Sequence, residues 1–393
     1  MKLAERMSRL GTETAFEVLN RARALEAQGR NIIHLEIGEP DFDTPENVVE
    51  AGVRALKTGH THYTAASGMP EFRAAIASDA GRRRGLDFTP ENVVVTPGAK
   101  PVMFFVMLAL LDEGDSVAYP DPGFPIYESM VRFLGARPIP IGFRTEGGRS
   151  HWNVDDLVAS VDHTTRLIIL NTPSNPTGAT LSAGETDQIA EAARRVDAVV
   201  LSDEIYSRII YEGTHESVAT RPGMLDRTAI LDGFSKTYAM TGWRLGYGLM
   251  PVELARPVTQ LMINSNSCTA AFTQLAGVEA LEGPQTEPDA MVHEFRRRRD
   301  LIVSGLRAIP GVECAMPQGA FYAFPDITGT GLTSRQAADK LLDEGGVAVL
   351  AGTAFGSKGE GFVRMSYANS YENIEIALER IAKTLGRVPA VVA

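Results

Sequence analysis

The residues predict an α/β protein: a large domain with a mostly parallel sheet of the seven-stranded type, covered by helices, and a smaller α+β domain. Three observations carry this. From Asn92 onward, short apolar β-branched runs alternate with helical stretches, which is the pattern of repeated βα units. Each run ends in a loop dense in Gly, Pro, Asn or Asp. After Gly283-Pro284-Gln285-Thr286-Glu287-Pro288 the pattern changes to a long charged helix followed by short strands. With 393 residues the chain exceeds the usual size of one core. The expected division is 46–284 for the large domain, and 1–45 with 285–393 for the small one.

Taken in order, residues 12–28 predict a helix capped by Thr12 or Thr14. Asn31 to Ile37 predicts a short strand, running into the turn-rich loop Gly38-Glu39-Pro40-Asp41-Phe42-Asp43-Thr44-Pro45. Helices are expected from Glu46 to Lys57 and from Glu71, with the loop at Tyr63–Pro70 between them. The sheet strands are expected at Val93–Val95, Ser116–Tyr119, Arg137–Ile139, Leu167–Leu170, Val199–Leu201 and Ile230–Leu231. In the last third, a helix around Val292–Leu306 precedes strands at Gly319–Phe324, Gly346–Leu350 and Gly361–Tyr367, with a helix near Ser334–Glu344.

Composition excludes several function classes. The net charge of −11 argues against nucleic acid or an anionic membrane as partner. The basic run Arg296-Arg297-Arg298-Arg299 reads as the solvated face of its helix. Two cysteines, Cys268 and Cys314, make no disulfide framework, and the histidines show no zinc-type spacing, so no metal is expected. The N-terminal residues lack a signal-peptide core, and the longest apolar run, Val102–Leu111, is too short to span a bilayer. A cytoplasmic protein is the expectation.

In a parallel sheet, ligands belong at the carboxyl ends of the strands. That rule selects particular loops. Thr96-Pro97-Gly98-Ala99-Lys100 opens a helix, as an anion site does and as ordinary strand–helix turns also do. Phe124 follows the next strand, either as core or as a flat partner for a ring. Asn175 lies in a loop of two asparagines and two prolines. Asp203-Glu204-Ile205-Tyr206 follows the Val199 strand, with the acids either capping a helix or facing a ligand. Lys236 follows the strand that ends in Gly233, and Arg244 stands beyond it between Gly242 and Gly246. A lysine that attacks a carbonyl must be partly deprotonated, and a fixed arginine beside it would lower its pKa and clamp a phosphate. Arg364 sits inside a strand-like run, either facing outward or pairing with an anion.

One chemistry uses all of these groups. Pyridoxal phosphate needs a lysine, an acid for its pyridine nitrogen, an anion cradle, a ring stacker and donors for its phenolic oxygen. The chain resembles a class I aminotransferase of the aspartate aminotransferase superfamily, the fold type I pyridoxal-phosphate enzymes. It looks closest to the branch with bacterial aspartate and aromatic aminotransferases. The resemblance rests on Gly38–Pro45, Asn175-Pro176-Thr177-Gly178, Ser202–Tyr206, Ser235 through Arg244, Gly319–Tyr322 and Val363–Tyr367, in that order. It implies that Lys236 forms a Schiff base with pyridoxal phosphate and shuttles the substrate proton. It implies Asp203 on the pyridine nitrogen, Asn175 and Tyr206 on the phenolic oxygen, and Phe124 on the ring face. Gly98, Ala99, Lys100, Ser235 and Arg244 would hold the phosphate, with Tyr63 reaching it from a second copy in a homodimer with shared sites. Arg364 would grip the substrate carboxylate, with Gly38 and Asn175 beside it.

Two features bear on substrate. Lys100 could contact a distal carboxylate, whereas Glu17, in the stretch Ala15-Phe16-Glu17, would repel one. The expected reaction moves an amino group from an L-amino acid to a 2-oxo acid, 2-oxoglutarate as acceptor. The alternative is another outcome on the same scaffold: a C–S lyase, a cyclase or an amino-acid oxidase. A fold-retaining regulatory protein is disfavoured because Lys236 is present. A nicotinamide dehydrogenase is disfavoured because no G-x-G-x-x-G follows the first strand.

Overall fold

A computed structural model describes residues 1–386; the end of the expected small domain, 387–393, lies outside the described residues. The chain is α/β. From edge to edge its seven-stranded sheet runs Val93–Thr96, Gly246–Leu249, Thr228–Gly233, Val199–Asp203, Thr165–Asn171, Ser116–Pro120 and Arg137–Ile141. Every pairing is parallel except those of Gly246–Leu249, which runs against both neighbours. Helices cover both faces, so the central strands are apolar throughout: Leu167, Ile168, Ile169 and Leu170 are all buried.

Each strand expected within the sheet is present. The one not anticipated is Gly246–Leu249, whose two glycines read as loop. Being antiparallel, it begins at the edge where the parallel strands end, with Gly246 opposite Gly233 and Thr96. That register brings Arg244 beside Gly98. A Cβ on Gly246 would overlap the backbone of Gly98 and Ala99, so only glycine permits the approach.

Around this sheet lie the helices Glu46–Lys57, Pro70–Arg84 and Ala271–Glu282 on one side, and Lys100–Leu110 and Val252–Ser265 on another. The last third holds the helix Thr286–Arg307 and a small antiparallel sheet of Tyr322–Ala323, Val363–Ser366 and Leu350–Ala351. The expected strand at Asn31–Ile37 shrinks to Ile33–His34, which pairs in parallel with Val347–Ala348. The expected helix near Ser334–Glu344 is α-helical only to Lys340 and closes with a wider turn over Leu341–Gly345. The N-terminal helix is Ala15–Glu26; Thr14 precedes it but makes no side-chain cap.

The four-arginine run departs from its expected role. Arg296 and Arg297 are exposed, but Arg298 and Arg299 are buried. Arg298 pairs with Glu294 at 3.0 Å and with Asp41 at 2.6 Å. Arg299 pairs with Asp300 at 2.7 Å and lies 4.8 Å from the centre of the Tyr211 ring. Half of the run therefore anchors the long helix inward, and Arg298 pins the Gly38–Pro45 loop.

Candidate active site

The carboxyl ends of the parallel strands open into a cavity of about 390 Å³. Its lining joins Gly38, Ala99, Lys100, Phe124, Asn175, Asp203, Tyr206, Ser235, Lys236 and Arg244 to Arg364 from the small sheet. Gly98 stands just behind, and Tyr63 does not line the cavity of its own chain, where it is 90% exposed.

Parallel register sets the floor. Asn171 and Asp203 are partners on adjacent strands, and the Asn171 amide donates to the Asp203 carbonyl at 3.3 Å. Asn171 Oδ1 accepts from the Asn175 N–H at 2.7 Å, which fixes the following loop. Asp203 accepts from the Tyr127 hydroxyl at 2.5 Å and the Ile205 N–H at 3.2 Å. Burial pushes its carboxyl up to about 6, against those two hydrogen bonds, and Asp232 and Glu204 push the same way.

Above this floor, Lys236 donates from Nζ to the Gly38 carbonyl at 2.5 Å. Burial lowers its pKa to about 8; Glu39 opposes this, while Arg364 and then Arg244 add to it. The arginine expected to depress the lysine thus does so as a lesser contributor, after desolvation. Arg244 holds φ at 52°, a conformation unusual for a side-chain-bearing residue, and donates to the Thr241 carbonyl at 2.7 Å. A Cβ on Gly98 would overlap the Arg244 guanidinium, so the glycine lets the cation reach the start of the helix Lys100–Leu110. The N-terminal end of that helix, the Ser235 hydroxyl and Arg244 meet at one side of the cavity, an arrangement able to hold an anion.

Opposite lies Arg364, only 4% exposed. It donates to Asn175 Oδ1 at 3.4 Å and to the Glu36 carbonyl, while its Nε has no partner. Its guanidinium rests 4.6 Å from the Tyr322 ring centre and 5.0 Å from that of Phe355. Burial holds its pKa below the ordinary arginine value. Tyr322 and Tyr206 share a hydroxyl–hydroxyl hydrogen bond of 2.7 Å.

Several lining residues escaped the sequence reading. Tyr127 and Tyr322 are buried aromatics that look like core until their hydroxyls are seen to face Asp203 and Tyr206. Glu17 is exposed and does not line the cavity; from the same N-terminal stretch it is Glu13, paired with Lys100, that does. The helix begins after Thr14, which turns Glu17 outward and leaves Glu13 on the segment that crosses the cavity mouth. Asp203 and Glu204 cap no helix; they diverge from the strand end into different surroundings.

The residues fit pyridoxal phosphate. The cradle is cationic, Asp203 is a buried acid, Phe124 supplies a ring face, and Lys236 is a partly neutral amine. Comparison with known proteins agrees. The family described as aminotransferase class I and II matches residues 30–381. An aspartate aminotransferase of Pyrococcus horikoshii is 39% identical over 387 residues, covering 98% of this chain and 97% of the relative. An arginine–pyruvate transaminase of Pseudomonas aeruginosa is 38% identical over 368 residues, covering 94% and 93%. The crystal structure of an aspartate aminotransferase from Rhizobium meliloti superposes with a TM-score of 0.93 at 37% identity, covering 99% of this chain and 100% of that one. The chain belongs to the class I and II aminotransferases, a family that generally works with pyridoxal phosphate.

Proposed function

We propose that this aminotransferase moves an amino group from an L-amino acid to a 2-oxo acid, with Lys236 as the covalent anchor of pyridoxal phosphate. One observation carries the reading. Lys236, Arg244, Arg364 and Asp203 share one cavity, and none makes an ion pair among the described residues. Buried charges are ordinarily paired, so the buried Asp203 and Arg364, unpaired beside the part-buried Lys236 and the exposed Arg244 at the cavity rim, mark where a ligand completes the set. The bound cofactor supplies an electron sink for the carbanion left when the substrate loses its α-proton.

This chain's residues do the rest. Arg364 presents a guanidinium fork to the substrate α-carboxylate, with Asn175 beside it. Asp203 offers its carboxylate to a ring nitrogen, and the Tyr127 hydroxyl fixes that carboxylate. Tyr206 offers its hydroxyl to a ring oxygen, oriented by Tyr322. Lys236 holds and returns the substrate proton at Nζ, and its lowered pKa suits that work near neutral pH. Domains 46–284 and 1–45 with 285–393 meet at this cavity on this reading, the second contributing Arg364.

We further read the active species as a homodimer. Val49, Val53 and Leu56 are exposed along one face of a helix, and Tyr63 projects into solvent nearby in sequence. A second copy would cover the apolar row and bring Tyr63 to its partner's phosphate cradle. The acceptor 2-oxoglutarate requires Lys100 to release Glu13; a monocarboxylic acceptor such as pyruvate, named for one relative, makes no such demand.

The test is spectroscopic. The purified protein should carry a yellow cofactor band that bleaches with an amino acid and returns with a 2-oxo acid. Ammonia or pyruvate released without bleaching would favour a lyase or oxidase instead. Lys236→Ala should lose turnover by several orders of magnitude while keeping its circular dichroism, since the residue's work is covalent. Retained transamination in that variant would remove the central assignment.

A further inference from the structure

One charged pair in the cavity is left without a task by this reading. Lys100 begins the helix Lys100–Leu110, and its ammonium meets the Glu13 carboxylate from the segment before the N-terminal helix. Both line the cavity, but they are not equivalent. The Glu13 side chain is 19% exposed and that of Lys100 is 49% exposed, so Glu13 is the more deeply seated of the two, while the Lys100 ammonium also lies 5.2 Å from the centre of the Phe124 ring. Glu13 is also among the charges felt at Lys236, Arg364 and Tyr322.

The assignment of the remaining charges sharpens this. Arg364 takes the α-carboxylate, Arg244 the phosphate and Asp203 the ring nitrogen. Lys100 is then the cation left for a second substrate carboxylate, and Glu13 already neutralises it. An acidic side chain would meet Glu13 first and would have to displace it. A cationic side chain would meet a carboxylate whose present partner is a flexible lysine free to turn outward. Of the other two acids of the lining, Asp203 is held by Tyr127 and Glu39 is engaged by the Thr241 hydroxyl.

We propose that Glu13 determines specificity in this cavity, selecting amino donors whose side chain ends in an ω-amino or guanidino cation over donors ending in a carboxylate. The proposal rests on the reading of the cavity as an amino-acid site. Discrimination comes from an attractive and a repulsive element at one residue.

The test compares the holoenzyme with its Glu13→Gln and Glu13→Asp variants, using arginine, aspartate and alanine as donors. Wild type should show a higher kcat/KM with arginine than with aspartate. Glu13→Gln should move that ratio toward aspartate by roughly tenfold or more, the scale of one screened charge contact. Glu13→Asp should retain the cationic preference. Binding gives a readout free of turnover: by calorimetry, Glu13→Gln should tighten succinate and weaken ε-aminocaproate. Alanine turnover in both proteins with an unmoved arginine-to-aspartate ratio would overturn this proposal alone. A wild type that bleaches with none of the three donors would overturn the aminotransfer reading, and this proposal with it.

Discussion

Asp203 and Glu204 are consecutive and buried, yet they face two differently built regions. Glu204 points into a closed set of charges behind the sheet. It accepts from Arg84 at 2.6 Å, Ser202 at 2.9 Å and Ser217 at 2.6 Å, with His215 2.9 Å away. Arg83 and Arg84 reach on to Asp232, and Arg83 to Asp79. Burial alone would raise the Glu204 carboxyl, but Arg84, His215 and Ser217 overcome it and hold it well below the ordinary range. Asp203 has a tyrosine and one N–H, and burial wins. Charges behind the sheet are satisfied by the chain itself. In the cavity, Asp203, Lys236, Arg244 and Arg364 make no ion pair among the described residues, which on the proposed function leaves them for a ligand. Substitutions in the two regions should therefore separate stability from function.

The largest expected effect on stability is behind the sheet. Glu204→Gln leaves Arg84 and His215 without their shared anion, and removing one partner of a buried charge set costs about 3–5 kcal/mol. Urea unfolding should show a midpoint loss of that size, with the cofactor band of the surviving folded protein little altered. A variant as stable as wild type would mean that the set behind the sheet is not what ties the helix Pro70–Arg84 to the strands.

Arg364 is the counterpart in the cavity. Arg364→Lys keeps a charge but loses the fork, so the KM for amino donors should rise by about 30–100-fold, the scale of a lost charge-assisted hydrogen bond of about 2–3 kcal/mol. Because Arg364 has no carboxylate partner among the described residues, the melting temperature of the variant should barely move. Reduced stability with unchanged KM would assign Arg364 to the scaffold instead.

The sheet was legible because its strands are fully apolar and punctuated by glycine and proline. The strand Gly246–Leu249 was not, since a run with alternate glycines has the composition of a loop and is made a strand by its neighbours on both sides. The site residues Lys236, Asp203, Asn175 and Arg364 could be found because each breaks an apolar or turn-rich local pattern. Tyr127 and Tyr322 follow the local pattern, and their roles exist only across the tertiary fold. Arg298 and Arg299 misled for the opposite reason: four consecutive cations look solvated, although a helix turns successive residues 100° apart and so buries some of them. Glu13 and Glu17 lie four residues apart, and where the helix begins decides which reaches the cavity.

The effect of substituting Asp203 is the most discriminating, because its sign reverses with the ligand. The folded-state pKa of Asp203, about 6, lies above its ordinary value, so the native state binds more protons than the unfolded state between about pH 4 and 6. Stability of the cofactor-free protein from this group therefore falls as pH rises through that window, and the cost is complete above it. Asp203→Asn removes that cost and keeps an acceptor for Tyr127. In the cofactor-free protein the variant should be more stable than wild type by about 3 kcal/mol at pH 8, and the gap should close as pH falls toward 4. With cofactor bound the order should invert, because the asparagine cannot neutralise a ring cation. Melting curves of both forms at two pH values would show it. A variant less stable than wild type in the cofactor-free form would make Asp203 part of the self-satisfied scaffold, like Glu204, and would remove the distinction between the two sides of the strand.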